Sequence, residues 1–198
     1  MTTTALSPAP PEMEFAVRWT RADCDRLEAA GFLNYRYELM NGVIIRKMGQ
    51  HLPHALTVSR AFAWMQGHFG VYCAVSQTSI TVAPDETALV RPEPDVTLLN
   101  KPGTQITTKE PYPEDILLLI EVSDTTLDYD LVTKSGVYAR AGVSQYLVID
   151  INGRVVYDHR LTASGEYQRD TRVPGDSVTL VAAPNLTLTV DDLLLPQP

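Results

Sequence analysis

Cysteine is scarce in this chain of 198 residues. Only Cys24 and Cys73 are present, with no CxxC pair and no Cys/His cluster. That excludes a structural zinc site and a disulfide scaffold, and it fits a reducing compartment. Long apolar runs are missing as well. The longest, Ile116–Ile120, is strand-sized and far below the roughly 18 residues of a membrane span. The amino terminus, MTTTALSPAPPEMEF, lacks a basic region followed by an apolar one, so no signal peptide is read there. No GxSxG, GxGxxG, P-loop or HExxH occurs, which removes the usual hydrolase, dinucleotide, NTPase and zinc-protease signatures. Positive charge is in deficit too: 16 Lys and Arg face 24 Asp and Glu, a net charge of -8. That balance argues against a nucleic-acid partner, since phosphate contacts need Lys and Arg, although a local basic patch can coexist with a negative total.

What is present is an ordinary globular balance, 44% hydrophobic and 20% charged. A chain of this length buries roughly 70% of the surface it exposes when unfolded, so it needs neither metal nor disulfide to fold. The expectation is a soluble, cytoplasmic protein. Residues 1–14, with three prolines, read as a flexible tail; residues 15–198 read as one domain.

Along that domain, Thr20 and Asp23 form a capping pattern before a helix over Arg21–Ala30, closed by Gly31. Asn41-Gly42 between two β-rich runs marks a hairpin. Ala55, Val58, Phe62, Met65 and Phe69 recur at helical spacing up to Gly70. Val71–Val82 and Asp95–Leu99 read as strands, and Pro84–Glu93 and Asn100–Asp115 as turn-rich connections. Ile116–Val122 is a near-continuous apolar run, the mark of a central strand covered on both faces. A helix over Tyr129–Ala141 follows. Next comes a hairpin about Asn152-Gly153, then further strands with turns at Gly165 and Pro174-Gly175, and a short element near Val190–Leu195. The order predicts an α/β fold with a mixed sheet.

Glu121 is the informative residue. A carboxylate in an apolar strand must pair with a cation, ligate a metal, or emerge at the strand's exposed end, because unpaired burial costs several kcal/mol. Asp95 opens the preceding strand. If the two strands are neighbours, both acids can meet at one hard divalent cation; read alone, Asp95 is equally a turn-forming residue after Pro94. Asp130, Lys134 and Tyr138 share one helix face. Lys134 could therefore reach back toward Glu121 or form a solvated pair with Asp130. Glu38 is either a further acid of the site or an exposed hairpin residue. His51 and His54 flank a helix start, and Gln77 lies on a strand.

Three blocks taken together resemble the Uma-two family of restriction-endonuclease-like proteins: Pro92–Leu99, Pro113–Asp130, and Lys134 with Tyr138–Val143 and Tyr146–Asp150. Tyr37–Gly42 is similar to that family's first hairpin, and His54-Ala-Leu to the helix after it. The likeness runs from about Trp19 to Leu195 and rests on the ordered set rather than on any one motif. It implies the PD-(D/E)XK nuclease fold, a mixed central sheet flanked by helices and carrying hairpins, and a homodimer. It also implies a Mg²⁺ (or Mn²⁺) site built from Asp95, Glu121, the Val122 carbonyl and Glu38. The superfamily's lysine normally stands two residues after the second acid, where this chain has Ser123; Lys134 on the next helix is the expected replacement. His54, Gln77, Ser123 and Tyr138 are auxiliary candidates. The implied function is a Mg²⁺-dependent endonuclease acting on DNA, with no membrane partner. The alternative is a non-catalytic module on a nuclease scaffold that binds nucleic acid or protein.

Overall fold

The computed structural model describes residues 17–196; the tail expected over residues 1–14 lies outside them. The chain first forms a helix, α1 (Arg21–Ala29), whose start is fixed by a reciprocal cap. Asp23 donates its amide to Thr20 Oγ1 and its carboxylate accepts from the Thr20 amide. A hairpin follows, β1 (Tyr37–Met40) and β2 (Val43–Arg46). Its turn residues Asn41 and Gly42 have φ of 52° and 76°, the two positive values a tight type I′ turn needs. All four residues of β1 are buried, Glu38 included. The cause is pairing beyond the hairpin: Leu39 exchanges both backbone bonds with Arg91 at 3.1 and 2.7 Å.

Helix α2 (Leu52–Phe69) is longer than the apolar spacing required and begins with Pro53 in its first turn. The central sheet contains β3 (Ala74–Ser76), β4 (Val96–Leu99), β5 (Ile116–Ser123), β6 (Gln145–Asp150), β7 (Val155–Leu161) and β8 (Tyr167–Arg172), hydrogen-bonded in that order. All pairings are antiparallel except β5 with β6, which is parallel. A parallel pair needs a crossover. Here it is a π-helical turn, Tyr129–Lys134, running directly into α3 (Ser135–Arg140). A second hairpin, β9 (Ser177–Leu180) with β10 (Ala183–Thr189), and a final turn of helix, α4 (Val190–Leu193), complete the described chain.

Two apolar layers hold the sheet. On one face Val58, Ala61 and Met65 of α2 pack with Leu118, Ile120, Leu147 and Ile149, closed over by Val178, Leu188 and Leu193. On the other, Val137 and Tyr138 of α3 pack with Leu119, Tyr146 and Val148, together with Met40, Ile80 and Val90. Strands β5 and β6 thus bury side chains on both faces, which is why they read as unbroken apolar runs. The strand expected over Val71–Val82 is cut to Ala74–Ser76: Gln77 adopts φ 52°, which turns the chain out of the ladder.

Candidate active site

The register of β4 on β5 sets the site. Val96 pairs with Ile120, so the antiparallel ladder carries Asp95, one residue earlier, alongside Glu121 and Val122. The Val122 amide donates to Asp95 Oδ2 at 2.9 Å. Glu121 points to the α3 side of the sheet. There Lys134 Nζ donates to its Oε1 at 2.8 Å and the Tyr138 hydroxyl donates to the same oxygen at 2.9 Å. Lys134 Nζ is also 3.1 Å from Glu38 Oε1 and 3.7 Å from Asp130 Oδ1. Glu38 is oriented by the Glu93 amide, which donates to its Oε1 at 2.8 Å.

These groups are buried. Glu38, Asp95, Glu121, Asp130 and Lys134 are between 2% and 4% exposed, yet all five border one cleft of about 420 Å³. The cleft's other walls are the β2 end with Arg46 and Lys47, the residues 48–51 that follow, His54 on α2, and Asp124, Thr125, Thr126 and Tyr129. His54 Nε2 stands 3.4 Å from Asp95 Oδ2. Gln77 Nε2 lies 3.5 Å from Asp95 Oδ1, while its own Oε1 accepts from Arg36 at 2.9 Å. Ser123 turns away from Asp95 and Glu121 to Asp130: its hydroxyl donates to Asp130 Oδ2, which also accepts from Thr126 at 2.7 Å.

The electrostatics follow from too many acids in too little water. Burial pushes the Glu121 carboxyl up to about 8; the Lys134 ammonium opposes this, and the Asp95, Asp130 and Glu38 carboxylates add to it. Burial works against the Lys134 charge, but Glu121, Glu38 and Asp130 hold the ammonium well above the ordinary lysine value. Burial also acts to raise Asp95, but His54, Lys47 and the Val122 amide together bring its carboxyl below the usual range. Asp130 is raised, first by burial, with Lys134, Ser123 and Thr126 opposing.

Sequence reasoning missed two contributors. Lys47, just past β2, donates to the Glu93 carbonyl at 2.8 Å and lies 3.8 Å from Glu38 Oε1. Tyr129 lines the cleft with a buried hydroxyl that has no hydrogen-bond partner. Neither has a local pattern to announce it. Asp130 did carry a signal, its four-residue spacing from Lys134, but that spacing equally describes a solvated pair.

The donor set suits a hard divalent cation. Four carboxylates (Glu38, Asp95, Glu121, Asp130) share two ammonium groups, Lys47 and Lys134. Burial and mutual repulsion hold the Glu121 and Asp130 carboxyls above their ordinary values, an excess of negative charge that a divalent cation would offset. Among the described residues no three His, Cys, Asp or Glu side chains form a ready-made metal cage. Mg²⁺ does not demand one: it is held by one or two carboxylates and keeps several waters.

Comparison with known proteins agrees with the fold. A crystal structure of a "putative nuclease belonging to DUF820" from Anabaena variabilis ATCC 29413 superposes with a TM-score of 0.62 at 15% identity, covering 84% of this chain and 96% of that one. No curated protein matches the chain. No helix among the described residues is long and apolar enough to cross a membrane. The model of the Uma2 family, described as "Putative restriction endonuclease", matches residues 23–191, and the chain belongs to that family.

Proposed function

We propose that this chain is a Mg²⁺- or Mn²⁺-dependent endonuclease hydrolysing phosphodiester bonds of DNA. In this reading Asp95 and Glu121 are the metal ligands, with the Val122 carbonyl beside them. Lys134 is the catalytic cation and Glu38 an auxiliary acid. One observation carries it: two acids distant in sequence meet on adjacent strands at a cleft floor, with an ammonium group 2.8 Å from one of them. A divalent ion bound there would lower the pKa of a water and offset charge on the phosphate.

The chain's own groups do the positioning. The Val122 amide and His54 both hold Asp95 Oδ2. Tyr138 and Lys134 both hold Glu121 Oε1, so its second oxygen keeps a defined direction. Lys134 stays charged because three acids surround it, and a fixed cation in a dry site stabilises charge that develops on a phosphate. Gln77 steadies Asp95, and Ser123 steadies Asp130. The Arg46 and Lys47 side of the cleft gives a polyanion a local approach despite the net charge of -8. A homodimer and a cytoplasmic location belong to the same reading.

The test is cleavage of DNA by the purified chain with Mg²⁺ or Mn²⁺. Asp95→Ala and Glu121→Gln are expected to abolish cutting while circular dichroism stays unchanged. A chain that cuts no DNA substrate with either ion contradicts the reading. The net charge of -8 favours one competitor, a non-catalytic binding module on this scaffold. Calorimetry separates the two, since the module would release no heat on titration with Mg²⁺.

A further inference from the structure

We propose that the strand this cleft takes is unpaired: a single strand, a flap or a frayed end rather than the body of a duplex. The chemistry rests on the nuclease reading above, but the substrate class is argued from the shape and lining of the site.

A reacting phosphate must come to roughly 3–3.5 Å of the groups that act on it. Glu38, Asp95, Glu121 and Lys134 are only 3% to 4% exposed, so a phosphate cannot meet them from outside. It has to enter the cavity. At about 420 Å³ that cavity lies at the lower end of the range for pockets that engulf one small molecule, roughly 300–1,000 Å³. It has room for one nucleotide unit of a strand. Duplex DNA is a stiff rod, with a persistence length of about 50 nm, and its nucleotides leave the stack only at the cost of unpairing and unstacking. An unpaired strand bends freely and carries no such cost.

The lining suits that guest. Two residues of the cavity wall hold buried polar atoms with no partner in the protein, the Tyr129 hydroxyl and His54 Nδ1. Both atoms are sealed from solvent, so it is the ring faces of Tyr129 and His54, not these atoms, that a guest in the cavity would meet. At the mouth stands Arg46, exposed, with its guanidinium 4.8 Å from the centre of the Tyr35 ring. Beside it is Met48, 80% exposed. A cation for the backbone and flat or apolar surface for a splayed base are the parts from which single-strand grooves are built.

The experiment compares a labelled single strand, the blunt duplex of the same sequence, and that duplex with a single-stranded flap. Fluorescence anisotropy is read at one fixed salt concentration without divalent ions, and cleavage is then read with Mg²⁺. The single strand and the flap are expected to bind at least about tenfold tighter than the blunt duplex. Arg46→Ala should weaken single-strand binding several-fold without altering the circular dichroism spectrum, and cleavage should follow the same order. A blunt duplex bound as tightly, or cut as fast, as the single strand overturns the inference while leaving the nuclease reading standing. Preferential binding of unpaired strands with no cleavage of any substrate sinks the nuclease reading and supports this one.

Discussion

Replacing Lys134 by methionine removes the one charge that three buried acids share. Its Nζ lies 2.8 Å from Glu121, 3.1 Å from Glu38 and 3.7 Å from Asp130, and the residue is 4% exposed. Breaking a buried pair by deleting one partner costs about 3–5 kcal/mol, because the remaining charge has neither water nor a counter-ion. Here the lower part of that range applies, since the Glu121 carboxyl is already pushed up to about 8 and can shed its charge by taking a proton. A loss of about 3 kcal/mol in a chain of this size lowers the melting temperature by roughly 6–12 °C. Glu121→Gln is a milder change. With its carboxyl pushed up to about 8, Glu121 is largely protonated at pH 7, so the neutral amide replaces a group that carries little charge there, and Lys134 stays paired with Glu38 and Asp130. Its stability should stay within about 1 kcal/mol of the wild type, or exceed it. Urea titrations and thermal melts at pH 7 in the presence of a chelator measure both. The reasoning fails if Lys134→Met is as stable as the wild type, or if Glu121→Gln loses as much as Lys134→Met.

Three further outcomes follow from the same structure. Mg²⁺ at a hundred times its dissociation constant should stabilise the chain by about 2.7 kcal/mol, seen as a rise in melting temperature that a chelator reverses and Asp95→Ala abolishes. His159 is buried, with Nδ1 3.2 Å from the Tyr146 carbonyl, and burial lowers its pKa from 6.5. Its folded form therefore favours the neutral ring, so stability is full above about pH 6.5 and falls as the pH drops below it; the urea midpoint should show this, and His159→Gln should flatten the slope. Gly42→Ala places a Cβ 2.5 Å from Arg18 Cβ at a residue with φ 76°, so it should destabilise by about 1 kcal/mol or more, measured by the same titration.

Some of this architecture can be read directly from residues because local chemistry decides it. Asn41-Gly42 supplies the positive φ values of a tight turn, and Thr20 with Asp23 closes a cap without help from the rest of the chain. Ile116–Ser123 looks like a central strand because both of its faces are apolar. Elsewhere tertiary contacts decide. Val71–Val82 has strand-like residues throughout, yet Gln77 leaves the ladder, and no alternation pattern reveals a φ of 52° there. The alternation of Tyr37, Glu38 and Leu39 suggests one buried and one open face, but pairing of Leu39 with Arg91 covers both. The π-helical turn over Tyr129–Lys134 resembles an ordinary helix in sequence, although such turns occur frequently at functional sites. At the cleft, Asp95, Glu121 and Lys134 carried chemistry that a sequence reader could weigh. Lys47 and Tyr129 carried none, because their roles depend on which wall of the cleft the hairpin and the crossover happen to form.

The central claim is that one divalent ion sits between two acids from adjacent strands. A crystal soaked in Mn²⁺ and measured at the manganese absorption edge tests it most directly. The account predicts an anomalous peak bounded by the Asp95 and Glu121 carboxylates. A soaked crystal with no peak there, or with its only strong peak elsewhere on the chain, contradicts it.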